Sequence, residues 1–212
     1  MRDIMAFRLA GWDTPFWANP NRSAGRYNQA MSQPTQYLCL HPWGPWAEYL
    51  RREDLRDVGM LDDLRACIWV ARLSVESLPL DRSLQRGAMP DQAYLDLTFE
   101  NAAAHGLSAA ALVADDHTAC RRFADRCWSN PTGPRMLCVP NAALPATRNI
   151  VIFGARLKAD WDLVRWDADL DIPTAVAADG ARPAPDVVAA TRYRGQPHAE
   201  YEAWRRRRGA SR

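Results

Sequence analysis

The sequence predicts a mixed α+β domain, in which strand-like and helix-like segments follow one another along a single chain. Several short apolar segments are rich in β-branched residues, as buried strands are, and other segments repeat their apolar residues at helical spacing. The chain has 212 residues, 48% of them hydrophobic, which suits one domain with an extension and a core that needs no disulfide.

The first predicted strand is residues 5–10, a short apolar run that carries Arg8. A loop rich in Trp, Pro and Asn follows at 11–23. Loops of this kind are often binding loops or lids, although such a loop can also pack on the core. Residues 25–28 and 36–40 are predicted as strands or strand ends, with a turn at 32–35 between them.

A helix is predicted from residue 45, because Trp46, Leu50 and Leu55 recur at roughly helical spacing, with Glu48 in the first turns. Residues 66–75 are dense in bulky and β-branched apolar residues and are predicted as a buried strand. Its predicted partner strands are residues 135–139 and 149–153.

A second helix is predicted over 114–128, with two aspartates at its front and an Asn-Pro-Thr-Gly sequence at its end. Residues 161–172 are a candidate strand that closes the sheet. From 173 to 197 the composition shifts to Ala, Pro, Asp and Gly, which indicates a linker or mobile tail.

The C-terminal residues 199–208 are predicted as a short helix that ends in four consecutive arginines. Positive charge at a helix C-terminus is favourable by itself. The same arginines could contact RNA, DNA or an acidic protein, but no helix-turn-helix or RNA-binding signature accompanies them. The predicted division is therefore a domain at 1–172, and a linker with a basic helix at 173–212.

Composition argues against several classes of function. The 27 basic and 25 acidic residues give a net charge of +2, so no whole-molecule field favours a nucleic acid or a membrane. No apolar run has the length of a signal peptide or membrane span, and a cytoplasmic location is predicted.

The five cysteines form no C-x-x-C pair and are predicted as reduced core residues. The four histidines lack zinc-site spacing, and the Asp-Asp-His sequence at 115–117 suits a helix start better than a metal site.

Two arginines, a tyrosine and a glutamate are the candidate functional residues. Guanidinium groups bind phosphate oxygens in a planar, two-pronged geometry, which suits Arg8 and Arg26 to a pyrophosphate. Each arginine could equally pair with an acid or lie on the surface. Tyr37 could be an ordinary core aromatic, and Glu48 could be an exposed helical glutamate. Residue types alone leave these alternatives open.

The order of these motifs resembles the RES domain, the toxin half of bacterial RES–Xre toxin–antitoxin pairs, whose members attack NAD. The shared features are an early strand Arg, a Gly-Arg-aromatic-Asn segment, a strand Tyr, an Ala-Glu pair on a helix, and a Pro-Ser-Ala segment followed by an Asn in an apolar strand. In this sequence they are Arg8, residues 25–28, Tyr37, Ala47 and Glu48, residues 140–142, and Asn149. The likeness covers roughly residues 5–157.

The resemblance implies an ADP-ribosyltransferase-like fold, with a split, mostly antiparallel β-sheet, flanking helices and NAD in a cleft of the 1–172 domain. It implies that Arg8 and Arg26 bind pyrophosphate and ribose, and that Tyr37 packs against nicotinamide or ribose. Glu48 would stabilise the oxocarbenium that develops as neutral nicotinamide leaves, a step that needs no general acid. The implied catalytic residues are Glu48, Arg26 and Tyr37, and the implied NAD-binding residues are Arg8, Arg26, Tyr27, Tyr37 and Asn141.

One departure from the family pattern is that Asn141 replaces its serine. An amide offers a donor and an acceptor and can still bond a ribose or phosphate oxygen, but its greater length can reposition the ligand or lower activity. The resemblance thus implies an enzyme that cleaves NAD with water, phosphate or a protein side chain as acceptor, restrained by an Xre-type antitoxin. The alternatives are a weakened or inactive NAD-binding or partner-binding protein, and a nucleic-acid-associated protein that uses the arginine-rich end.

Overall fold

The computed structural model describes residues 3–10, 23–32, 35–74, 94–134, 136–153, 164–165 and 182–210. Within them the chain forms seven strands and four α-helices. The strands are β1 (Asp3–Ala10), β2 (Thr35–Cys39), β3 (Cys67–Ser74), β4 (Tyr94–Asp96), β5 (Met136–Pro140), β6 (Arg148–Phe153) and β7 (Val164–Arg165). The helices are α1 (Gly44–Glu53), α2 (Thr118–Ser129), α3 (Asp186–Ala190) and α4 (Ala199–Ala210). Single 3-10 turns occupy Val58–Leu61, Ala102–His105 and Ala109–Leu112.

The strands form one sheet in the order β4-β5-β6-β2-β1-β3-β7. Every pairing in it is antiparallel except that between β4 and β5, which is parallel. The sheet comes closest to dividing between β1 and β2, where the register in the described residues consists of the pair Phe7–Cys39. A mixed α+β fold with a mostly antiparallel sheet, as predicted, is therefore observed.

Two sequence predictions about the sheet are wrong. Residues 25–28 form an irregular bend and not a strand. Strand β3 pairs with β1 and β7, whereas the sequence predicted β5 and β6 as its partners. Apolar composition identifies a buried strand but carries no information about its neighbours, which the register decides. The predicted closing strand within 161–172 is present as β7 at the sheet edge.

One face of the sheet carries α1 and α2, and we call it the helical face. Side chains alternate between the two faces of a strand, so paired residues and their second neighbours share a face. The pairs Phe7–Cys39, Cys39–Asn149 and Tyr37–Val151 therefore place all of these side chains on the helical face. Helix α1 buries Trp46, Ala47 and Leu50 there against Phe7 and Ile68, and α2 buries Cys120, Phe123 and Ala124 against Leu137, Val139 and Val151.

Local sequence explains the limits of α1. Pro45 lies in its first turn, where a missing N–H costs nothing. Arg51 and Arg52 occupy the last turn, where positive charge favours the helix. Asp54 follows in the left-handed conformation, with a φ of 57°, and its N–H bonds the Leu50 carbonyl. These signals fix the helix that carries Glu48.

The segment at 182–198 is packed into the fold. Val187, Val188 and Tyr193 are buried in the cluster that contains Trp46 and Leu50 of α1. The prediction of a linker or mobile tail over 173–197 is therefore wrong for this part. The segment is rich in Ala and Pro, which is typical of a linker, but two consecutive valines bury their side chains and hold the short helix α3 against α1. Residues 173–181, and with them the predicted boundary at 172, lie outside the described residues.

The cysteines that the structure describes are reduced and buried, as predicted: Cys39, Cys120, Cys127 and Cys138. The side chain of Cys67 lies outside the described residues, as does the Trp-rich loop from 11 to 22. In the part of the chain that is described, no helix combines the length and hydrophobicity needed to span a bilayer.

Candidate functional site

Glu48 lies on α1 and is tied to the sheet through Asn149. The side-chain amide of Asn149 donates a hydrogen bond to Glu48 Oε1 at 3.2 Å. Asn149 pairs with Cys39 across β2 and β6, so the carboxylate lies over the end of β2. Burial raises the pKa of the Cys39 thiol, and the nearby charge of Glu48 raises it further.

Tyr37 connects β2 to the bend at 25–28. Its hydroxyl accepts a hydrogen bond from the Tyr27 N–H at 2.9 Å and donates one to Asn28 Oδ1 at 2.8 Å. Gly25 is required at this contact, because a Cβ there would lie 2.4 Å from Asn28 Oδ1 and 2.7 Å from the Tyr37 hydroxyl. Tyr37 therefore fixes the backbone directly after Arg26, and Asn28 Oδ1 also accepts from the Gly25 N–H before it.

The charges of Arg26 and Glu48 both act on the Tyr37 hydroxyl. Burial raises the pKa of Tyr37, the hydrogen bond from Tyr27 and the charge of Arg26 lower it, and the charge of Glu48 raises it. Both charges are thus within interaction range of Tyr37. The half-buried Arg26 guanidinium also donates to the Ala111 carbonyl at 3.3 Å, just before α2. Arg26, Tyr37 and Glu48 therefore converge on the helical face, between α1 and α2.

Arg8 lies on the opposite face of the sheet. The Phe7–Cys39 pair puts Arg8 beside Leu38, and its Nη1 donates to Gln36 Oε1 at 2.9 Å. Burial lowers the pKa of Arg8 to about 10. The expectation that Arg8 and Arg26 grip one pyrophosphate does not hold in this arrangement, because the sheet separates them. A strand exposes alternate residues to alternate faces, and this register turns Arg8 away from Tyr37.

Tyr27 and Asn141, expected to contact NAD, have buried side chains. Tyr27 is 1% exposed, and its ring packs in the α2 core with Phe123 and Cys120. Burial raises its pKa well above the usual value. The structure therefore does not bring the Tyr27 ring to the site, where its backbone N–H alone takes part.

Asn141 closes the loop that follows β5 and is 0% exposed. Its Oδ1 accepts hydrogen bonds from the N–H groups of Ala143 at 2.9 Å and Leu144 at 3.0 Å. The side-chain oxygen therefore shapes the loop, and the expected contact of Asn141 with NAD stays a prediction. A Cβ added to Gly44, the first residue of α1, would lie 3.2 Å from Asn141 Nδ2.

Two buried polar atoms beside α1 have no hydrogen-bond partner among the described residues. They are Asn141 Nδ2 and Asn149 Oδ1. Both residues belong to the helical face, since Asn149 pairs with Val139, two positions before Asn141. Unpaired buried polar atoms are rare and frequently mark places where a ligand, a water or a rearrangement completes the bonding.

A group of positive charges that the sequence did not predict lies beside Arg26. Burial, together with four arginine charges, lowers the pKa of His117, at the start of α2, to about 4. Those charges belong to Arg26, Arg51, Arg121 and Arg194. The described residues therefore surround this end of α2 with positive charge.

Asp115 neutralises part of that charge. Its Oδ1 accepts from Arg51 at 2.5 Å and from Arg192 at 3.3 Å. Partial burial acts to raise the pKa of Asp115, but the Gly195 amide and these two guanidinium groups lower it overall. The sequence indicated only a helix start here. No local signal could have connected Asp115 to partners 64 and 77 positions away.

The arginine-rich helix α4 packs against the α2 core through Tyr201 and Trp204. A shallow depression beside it is lined by Glu100, Trp204, Arg207 and Arg208, none of which is a predicted site residue. Arg208 lies over the Trp204 ring, with its guanidinium carbon 5.4 Å from the ring centroid. Among the described residues, no group of three or more His, Cys, Asp or Glu side chains is arranged to hold a metal ion.

Comparison with known proteins supports the fold. No protein-family model matches the sequence, and no curated protein matches it. Among solved structures, the chain is similar to one in the crystal structure of the M. tuberculosis MbcT-MbcA toxin-antitoxin complex. The alignment covers 78% of this chain and 82% of that chain, with a TM-score of 0.53 and 18% identity. At this identity the likeness establishes the fold alone. The chain therefore has the mixed α+β fold of a protein from a toxin-antitoxin complex.

Proposed function

We propose that this protein is the toxin of a toxin–antitoxin pair and that it consumes NAD by cleaving the bond between nicotinamide and ribose. The observation that carries the proposal is the convergence of Arg26, Tyr37 and Glu48 on the helical face, from three separate segments of the chain. The RES-like order of the motifs and the fold of the toxin-antitoxin neighbour support the same assignment.

In the proposed reaction, Glu48 stabilises the positive charge that develops on the ribose. The bond from Asn149 orients the carboxylate and leaves its second oxygen for the substrate. Nicotinamide leaves as a neutral molecule, so one carboxylate is enough and no proton has to be delivered. Tyr37 supports the reaction through the bend at 25–28, because its hydroxyl holds the backbone from which Arg26 projects.

The charge distribution around Arg26 suits a dianionic ligand. Arg121 and Arg194 act on His117 together with Arg26, and no carboxylate forms an ion pair with any of these three arginines among the described residues. Guanidinium groups in such a cluster bind phosphate oxygens strongly. We therefore assign the pyrophosphate to Arg26 with this cluster, in place of the Arg8–Arg26 pair.

Nicotinamide release from NAD by the purified protein tests the proposal. Glu48→Gln is the matched control, because glutamine keeps an oxygen that can accept from Asn149 and removes only the charge. We expect Glu48→Gln to slow release by about 100-fold, the usual effect of losing a preorganised electrostatic contact. If the wild type is no faster than a folded Glu48→Gln, the activity is refuted. The products distinguish water, phosphate and a protein side chain as acceptor.

The toxin role is tested separately in bacteria. Expression of the wild type is expected to slow growth, Glu48→Gln to relieve the effect, and coexpression of an Xre-type antitoxin to restore growth. A wild type as harmless as Glu48→Gln would argue against a toxin even if NAD were cleaved in vitro.

A second candidate is a protein that binds NAD without turning it over. The observation that favours it is Asn141, which stands where the RES family has serine and whose side-chain oxygen is committed to the loop. Calorimetry distinguishes the two candidates, because NAD binding with no released nicotinamide supports the second.

A further inference from the structure

Arg192 connects the C-terminal part of the chain to two loops beside the proposed site. It is 9% exposed. Its Nη1 donates to the Val113 carbonyl at 3.1 Å and to the Ala142 carbonyl at 3.2 Å, while its backbone N–H donates to the Ala143 carbonyl at 2.7 Å. The Nε donates to the Gln196 carbonyl at 2.8 Å, which folds the segment around the guanidinium.

His198 and Glu200 extend this connection. His198 Nε2 lies 3.0 Å from the Asn141 carbonyl and donates to it, while Nδ1 accepts from the Tyr201 N–H at 3.3 Å at the start of α4. Glu200 accepts from the Ala146 N–H at 3.2 Å. We call residues 191–200 the C-terminal clasp, because four of its bonds hold the loop at 141–147.

The clasp also reaches α1 through Asp115. Arg192 and Arg51 share Asp115 Oδ1, and the Gly195 N–H donates to Oδ2 at 2.7 Å. Arg51 lies three residues after Glu48, and the first residue of α1, Gly44, lies so close to Asn141 that an added Cβ would be 3.2 Å from Asn141 Nδ2. The same guanidinium therefore restrains α1 near both ends.

We propose that Arg192, assisted by His198, is a positioning residue for Glu48: it holds the Asn141 loop and the Asp115–Arg51 pair, between which α1 is placed. The inference rests on the proposed NAD cleavage. Arg192 does not touch the reacting atoms and acts through its neighbours.

Arginine is specifically suited to this position. Its planar fork donates to several acceptors in fixed directions, whereas a lysine ammonium offers one compact charge on a flexible chain. Without the guanidinium, three carbonyls lose a donor, those of Val113, Ala142 and Gln196. Asp115 then keeps only Arg51 and the Gly195 N–H as partners. A displacement of about 1 Å in a catalytic group can cost about 100-fold in rate. A small movement of α1, which carries Glu48, is therefore enough to lower kcat.

The test compares Arg192→Ala and Arg192→Lys with Arg206→Ala, an exposed arginine on α4 that serves as control. We expect both Arg192 variants to lower kcat for nicotinamide release by about 10- to 100-fold, with KM changing less. Amide exchange at 141–147 should become faster. Millimolar guanidinium should partly restore kcat and slow the exchange in Arg192→Ala. Arg206→Ala should match the wild type.

His198→Asn keeps the proposal testable if Arg192→Ala does not fold. Asparagine preserves the cap of α4 but is too short to reach the Asn141 carbonyl. We expect faster exchange at 141–147 and a smaller loss of kcat. An unchanged kcat in folded Arg192→Lys and His198→Asn would overturn the proposal, as would a loss of kcat with unchanged exchange. If the wild type releases no nicotinamide, the proposed function fails instead, and with it any role of the clasp in catalysis.

Discussion

Arg8 and Arg26 differ in the face of the sheet that they occupy, although the sequence offered them as a pair. Arg26 extends from a bend that Tyr37 holds on the helical face, near Glu48. Arg8 lies in β1 on the other face, where it bonds Gln36 and is largely buried. The face on which an arginine in an apolar strand lies is therefore set by register, and a one-residue shift would have reversed it.

The largest expected difference between the two arginines is in catalysis. Arg26→Ala should lower kcat/KM for NAD cleavage by about 100-fold, because it removes the charge that we assign to the substrate pyrophosphate. Arg8→Ala should leave the rate per folded molecule nearly unchanged. Steady-state nicotinamide release measures both. If both variants lost the same kcat/KM at equal folded fraction, the two faces of the sheet would not differ in their role in catalysis.

The bend that carries Arg26 can be loosened without touching its charge. Tyr37→Phe removes the acceptor of the buried Tyr27 N–H and the donor to Asn28, which should cost about 1–3 kcal/mol of unfolding free energy and lower activity. Urea denaturation measures the cost. Tyr49→Phe on α1 is the control, since no hydrogen bond of its hydroxyl occurs among the described residues. Equal stability of the two variants would contradict this role.

Arg8 is expected to affect stability alone. Arg8→Ala loses the bond to Gln36 and the packing of a largely buried side chain, and we expect a loss of about 1–2 kcal/mol. Arg8→Met keeps most of the volume and removes a buried charge, so it should cost less. Thermal unfolding of the two variants tests the order. A less stable Arg8→Met would show that the charge, and not the packing, holds this face.

The smallest expected effect is a pH dependence of stability on the helical face. Burial lowers the pKa of His117 to about 4 and also lowers that of His198, with Arg192 adding to the second shift and the Asn141 carbonyl and Glu200 opposing it. The unfolded chain binds these protons with a pKa of about 6.5, so the stability present above that pH declines as pH falls from about 6.5 towards 4.

His198→Asn should reduce this decline by removing one titrating group and keeping the helix cap. Thermal melts at pH 7.5, 6.5 and 5.5 are the measurement. If the melting temperature of His198→Asn changed with pH as steeply as that of the wild type, groups other than His198 would cause the pH dependence.

Helix and strand positions were largely predictable because they depend on local patterns. Pro45, the apolar spacing of Trp46 and Leu50, and the β-branched run in β6 each identify an element from its own residues. The candidate site was predictable in part, because residue type and the family resemblance pointed to Glu48, Tyr37 and Arg26. The packed segment with Val187 and Val188 was not predicted, because the Ala- and Pro-rich composition around these two valines is typical of a linker.

The sequence by itself determined which residue types stand on which elements, since spacing and propensity act within a few residues. Tertiary structure alone decided the faces and the partners. The register Phe7–Cys39 turned Arg8 from the site, folding brought Asp115 to Arg51 and Arg192, and close packing buried Tyr27 and Asn141. Contacts between distant residues depend on how whole elements pack, and no local pattern encodes that arrangement.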